Sequence, residues 1–180
     1  VLAQWSYNNL ASSASARLAS SVANNVTVSS LISDDLQVTL FASGGVNNSK
    51  FTCYDLWDAT NNYSVTNRTS LAAAPHTISF DTSFNTGVSG SFTSLSVDAK
   101  RPDGNAPSNL QASIFWRDGC GNLQWATSDT ISTGAATDWT HLDLTFSRFS
   151  AGLPSCDGTT SNPFHVELYA AGNGVSAPIF

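Results

Sequence analysis

The sequence predicts an all-β chain: one antiparallel β-sandwich, jelly-roll-like, of about ten strands within a single domain spanning residues 1–180. Three observations carry that expectation. Apolar and polar residues alternate with period two in segment after segment, as they do when a strand buries one face and wets the other. Turn-forming runs such as "ASGGVNNS", "RPDGNAPSN" and "AGNGVSAP" separate these segments. The chain holds only 2 Lys and 1 Glu, so surface helix formers are scarce while Thr, Val, Ile and aromatic residues are plentiful.

Taken in chain order, strands are expected at residues 4–7, 26–32, 36–41, 51–57 and 77–84. Residues 10–24, "LASSASARLASSVAN", place Leu10, Ala14, Leu18 and Val22 four apart, but their serines compete with the backbone, and a loop or edge strand is expected over a helix. The clearest alternation comes later. Leu95, Val97 and Ala99 alternate with Ser and Asp; Leu142, Leu144 and Phe146 with His, Asp and Thr; and Phe164, Val166, Leu168 and Ala170 repeat the pattern. Residues 177–180 form a candidate closing strand, with Pro178 compatible only with an edge or a strand start. The polar phase leaves His141 and His165 facing solvent.

Between these lies "IFWRDGCGNLQW", residues 114–125, a hairpin whose register decides its role. With a four-residue loop, Asp118 to Gly121, Arg117 faces Asn122 and Trp116 faces Leu123, so Trp116 and Trp125 share the core face. Phe115, Arg117, Asn122 and Gln124 then form a face suited to a hydroxyl-rich ligand, or an ordinary wet sheet surface. A loop longer or shorter by one residue splits the two tryptophans between opposite faces and frees one as a sugar-stacking platform.

Net charge is −6, with no basic stripe, which argues against nucleic acid. No run of about 18 apolar residues is present to insert into a membrane as a helix. The absence of Met, even at position 1, is expected of a processed secreted chain. Catalytic patterns are lacking. The single Glu, Glu167, excludes the common two-Glu hydrolase pair, and His76, His141 and His165 fit no metal-ligand spacing. "GVSGS", residues 87–91, reads as a flexible turn. The expectation is therefore a non-enzyme, with a hydrolase or lyase built on Asp and His as the remaining catalytic option.

Cys120 and Cys156 both sit in turn sequences and are the candidate disulfide, while Cys53 reads as strand. No organic cofactor is expected. Paired acids at Asp34 and Asp35, and at Asp55 and Asp58, are candidate sites for a structural calcium ion or simple turn caps. Sequons at Asn25, Asn47, Asn62 and Asn67 are candidate glycosylation sites, although 15 Asn among so many hydroxyl residues produce about that number by accident.

The passages "LAQWSYNNLAS", "ANNVTVSSL", "GSFTSLSVDAKRPDGNAPSNLQASIFW" and "PFHVELYAAGNGVSAPIF" resemble bacterial secreted β-sandwich proteins of the PEP-type sorted class, here without the sorting tail. A looser similarity is to jelly-roll carbohydrate-binding modules. The first likeness implies a secreted or cell-surface protein and supplies no catalytic residues. Two functions follow as expectations. One is a structural or adhesive protein that pairs with copies of itself through poorly charged edge strands into a filament or matrix. The other is a module that binds extracellular polysaccharide, with Phe115, Trp57 or Trp139 as stacking aromatics beside Arg117, Asn122 and Gln124.

Overall fold

The computed structural model describes residues 1–5, 18–32, 70–71, 77–85, 88, 92–100, 109–117, 121–132, 139–146 and 163–169, together with the backbone of 37–41, 50–54 and 170. Within them the chain is all β, and every strand pairing is antiparallel. The strands are β1 (Ala3–Gln4), β2 (Ser21–Val22), β3 (Val26–Val28), β4 (Gln37–Phe41), β5 (Lys50–Tyr54), β6 (Ile78–Phe84), β7 (Ser94–Ala99), β8 (Asn109–Arg117), β9 (Leu123–Thr127), β10 (Ile131–Ser132), β11 (Thr140–Thr145) and β12 (Phe164–Ala170). Expected strand positions that fall within the described residues thus recur within a few residues, and β10 is an addition. No described helix is long and apolar enough to cross a membrane.

The main sheet runs β10-β8-β12-β6-β3, with β9 on the same edge of β8 as β10. Long crossovers are required, because the last described strand lies between two from the middle of the chain, the connectivity of jelly-roll and Greek-key sandwiches. β7 and β11 form a second, two-stranded sheet, and β1 with β2 and β4 with β5 form two further pairs. β1 spans two residues and already pairs with β2, Ala3 opposite Val22, so this terminal strand is held within the chain.

Alternation explains which sides meet. Leu142 and Leu144 on β11, with Phe146 beyond it and Leu95, Val97 and Ala99 on β7, close onto Ile78, Phe80, Phe84, Leu110, Ile114, Trp116, Phe164, Val166 and Leu168 of the main sheet. Phe164 lies at the centre of an aromatic group, 5.2 Å from Phe92 and 6.3 Å from both Phe84 and Trp116 between ring centroids. Tilted and edge-on contacts of this kind add to plain burial.

One irregularity shapes the sheet edge. Thr127 stands opposite Ser113, but Ile131 stands opposite Leu110, so the β9–β10 side carries one extra residue and bulges. Ser128 holds the bulge. Its amide donates to the Ala112 carbonyl at 2.8 Å, and its hydroxyl accepts from the Ala112 amide at 2.9 Å.

Candidate functional site

The hairpin β8–β9 takes the longer loop. Arg117 pairs with Leu123, Trp116 with Gln124, and Phe115 with Trp125, which leaves five residues, 118–122, between the strands. This corrects the register expected from a four-residue turn. Partners across a strand pair share a face, so Trp116 and Trp125 now point to opposite sides. Trp116 is a core residue at 7% exposure, whereas Trp125 is 36% exposed. Gln124 moves with Trp116 to the core side and leaves the polar face.

The face opposite the core carries, in one row across β9, β8, β12 and β6, Trp125, Phe115, His165 and Asp81. At the usual strand spacing this row is about 14 Å wide. The next row is Thr127, Ser113, Glu167 and Ser79, followed by Gln111 beside Tyr169. Phe115 is at 0% exposure and therefore cannot itself stack on a ligand, contrary to its expected role. Arg117 shares the Trp125 face, and its guanidinium donates to the Gly121 carbonyl at 2.7 Å. Gly121 has a φ of +83°, a conformation that suits glycine in this turn. Asn122 is exposed at the turn end.

His165 also departs from expectation. It occupies the polar phase of its strand, yet it is 1% exposed and Glu167 beside it 0%. Alternation marks the face as polar, but both faces of these central strands are buried. Its Nδ1 lies 2.7 Å from Asp81 Oδ1, and its Nε2 lies 3.0 Å from Glu167 Oε1. Burial opposes a charge on the ring, but the hydrogen bonds to Asp81 and Glu167 outweigh it and hold the imidazole pKa above its ordinary value.

Beside this trio runs a chain of oriented donors. The Ser113 hydroxyl lies 3.0 Å from the Tyr169 hydroxyl, which donates to Gln111 Oε1 at 2.9 Å. Gln111 Nε2 then donates to the Ser128 carbonyl at 2.8 Å, tying the face to the bulge. Desolvation pushes the Tyr169 phenol up to about 12, against the lowering effect of the Ser113 hydroxyl, so it stays a donor at neutral pH. The Ser79 hydroxyl, directly across from Glu167, is buried without a hydrogen-bond partner.

A second histidine cluster lies on the smaller sheet. His141 Nδ1 is 2.7 Å from Asp98 Oδ1, and its Nε2 is 3.6 Å from Asp143 Oδ1, which also accepts from the Ser96 hydroxyl. Here the ring is exposed, as its strand phase predicts. Its pKa is raised chiefly by the hydrogen bond and charge of Asp98. Near it, Trp139 is half-buried at a cleft of about 650 Å³ whose walls include Trp5, Phe80, Val97 and His141.

The remaining candidates divide by position. Asn25 is exposed, in a turn at φ 64°, a conformation asparagine tolerates better than most residues. Trp57, the acids Asp34, Asp35, Asp55 and Asp58, the cysteines Cys120 and Cys156, and the sequons at Asn47, Asn62 and Asn67 lie outside the described residues. So do His76 and the expected strand at 177–180. Among the described residues no group of three or more His, Cys, Asp or Glu side chains could hold a metal ion.

No protein-family model matches the chain, and no curated protein matches it, so the likeness to PEP-type sorted proteins finds no support there. Solved structures that the chain is similar to include two carbohydrate-binding examples. One is the C-terminal family 22 carbohydrate binding module of Clostridium thermocellum Xyn10B, at 16% identity, covering 89% of this chain and 85% of that chain, with a TM-score of 0.46. The other comes from work on carbohydrate-binding modules of the β-sandwich superfamily, at 11% identity, covering 86% of this chain and 54% of that chain, with a TM-score of 0.39.

Proposed function

We propose that this chain is a non-catalytic, secreted or cell-surface module that binds polysaccharide on the β9 side of the main sheet, with Trp125 as the stacking platform. The observation that carries this reading is the hairpin register, which turns a large aromatic residue outward on the same face as a row of hydrogen-bonding side chains. A sugar ring presents C–H groups on its face and hydroxyls on its rim. An indole matches the first, and planar or hydroxylic groups match the second.

Thr127 adjoins Trp125 along the strand, and Arg117 lies diagonally across from it, both on the outward face and both half-buried. Gln111 continues the surface two rows away. Trp139, at the cleft beside the second sheet, is the candidate for a separate aromatic contact.

Affinity electrophoresis in gels containing soluble polysaccharides tests this directly. The native chain should be retarded by at least one glycan, and Trp125→Ala should abolish the retardation while changing stability by less than about 1 kcal/mol. Equal migration of the two proteins across a broad panel overturns the reading. Concentration-dependent polymers formed without glycan would favour the structural, self-assembling alternative instead.

A further inference from the structure

We infer that His165, Asp81 and Glu167 form a proton-operated latch: with its extra proton the ring ties β12 to β6 through Nδ1 and Asp81 while Nε2 is anchored to Glu167 along β12, and on losing it the latch opens. The extra proton follows from the donors available around a buried ring. An ionised carboxylate only accepts hydrogen bonds, and a neutral imidazole has one N–H and one lone pair. Both ring nitrogens face carboxylate oxygens, at 2.7 and 3.0 Å. With two ionised carboxylates and a neutral ring, one of these contacts would lack a hydrogen and set lone pair against lone pair, beside a buried ring and a buried Glu167, with only the Asp81 side chain partly exposed at 41%.

The trio therefore requires one more proton. That proton is shared by the ring and the two carboxylates it contacts. Among the described residues, the titratable and charged groups on this face are Asp81 from β6, Glu167 and Tyr169 from β12 and Arg117 from β8. β9 and β3 add only uncharged side chains. With the ring protonated and both carboxylates ionised, the trio carries a net −1. Losing the proton leaves −2 on a buried Glu167 and a partly exposed Asp81, which adds repulsion to the lost hydrogen bond.

The latch adjoins the proposed platform through one residue. The Phe115 ring centroid is 6.4 Å from that of His165, and Phe115 stands directly across from Trp125. Opening the latch removes the support behind Phe115 and weakens binding at Trp125. That last consequence rests on the glycan-binding reading; the latch itself rests on the trio alone.

Histidine ring NMR of the intact protein from about pH 5 to about pH 10 tests the latch, with His76→Gln and His141→Gln used to assign the signals. We expect His165 to keep both ring nitrogens protonated well above its ordinary pKa of about 6.5. It then releases one proton as the thermal midpoint falls. Glu167→Gln places an amide donor opposite Nε2, so the pKa should drop and the alkaline fall in midpoint should flatten. A wild-type His165 that titrates at or below the ordinary value, with an ionised Glu167, overturns the latch. That wild-type measurement decides the matter even where Glu167→Gln fails to fold. A glycan titration at both ends of the range separates the two proposals: a titrating latch with no binding at any pH sinks the platform and leaves the latch standing.

Discussion

The two described histidines occupy the same constellation on different sheets. In each, the ring stands directly across from an aspartate on the neighbouring strand, Asp98 for His141 and Asp81 for His165. In each, a second acid follows two residues on, Asp143 or Glu167, and so shares the strand face. Side-chain exposure separates them, 61% for His141 against 1% for His165. Register brings the same three groups together in both places, but surroundings decide what the grouping is worth. In water, an ion pair is screened and its partners lose freedom to hold one geometry. Under a covered sheet face, every missing partner leaves a group that nothing else can satisfy.

Cutting one acid from each cluster should give the largest contrast. Glu167→Ala should cost about 3 kcal/mol in urea unfolding, because it leaves the buried His165 Nε2 without its carboxylate and opens a gap in the interior, while Nδ1 keeps Asp81. Asp143→Ala should stay within about 0.5 kcal/mol. Comparable losses from the two substitutions would break the comparison.

The pH dependence sharpens it. Both imidazole pKa values are raised in the folded chain. A raised folded pKa means that the protonated form is favoured by folding, so its stabilisation is fully present below the unfolded value of about 6.5 and is lost as pH rises through the folded value. In stability curves, His165→Gln should remove most of the alkaline decline, and His141→Gln only a small part. A smaller effect separates the clusters by salt. Raising ionic strength from about 0.1 M to about 1 M shortens the screening length from about 10 Å to about 3 Å. The modest contribution of His141 should then vanish in a comparison of wild type with His141→Gln, while that of His165 persists.

The hairpin repeats the lesson with tryptophans. Trp116→Ala should cost about 3–5 kcal/mol, as expected for an aromatic buried among Phe84, Phe92 and Phe164, while Trp125→Ala should be felt in binding. Nothing in "IFWRDGCGNLQW" distinguishes the two residues by type. Loop length decides between them, and Asp-Gly-Cys-Gly-Asn offers several places to turn, so a four-residue and a five-residue loop are equally compatible with the local sequence. The Ser113–Tyr169–Gln111–Ser128 chain is similarly illegible: its members are 17 or more residues apart in every link and meet only once β12 inserts beside β8. A faint signal for the histidine trio was present, since a His followed at the second position by an acid in a strand must share a face with it.

The sequence by itself determined that the chain is built from strands, where most of the described ones run and which side of β7, β11 and β12 is apolar. Those are consequences of period-two alternation and of turn residues, both of which act within a few positions. Only the tertiary structure decided that the polar side of β12 is also covered, that one tryptophan of the hairpin faces outward, and that one of two matching histidine clusters is buried. Alternation divides a strand into two faces without stating what packs on either, and strand register depends on a turn whose one-residue change reverses every side chain beyond it.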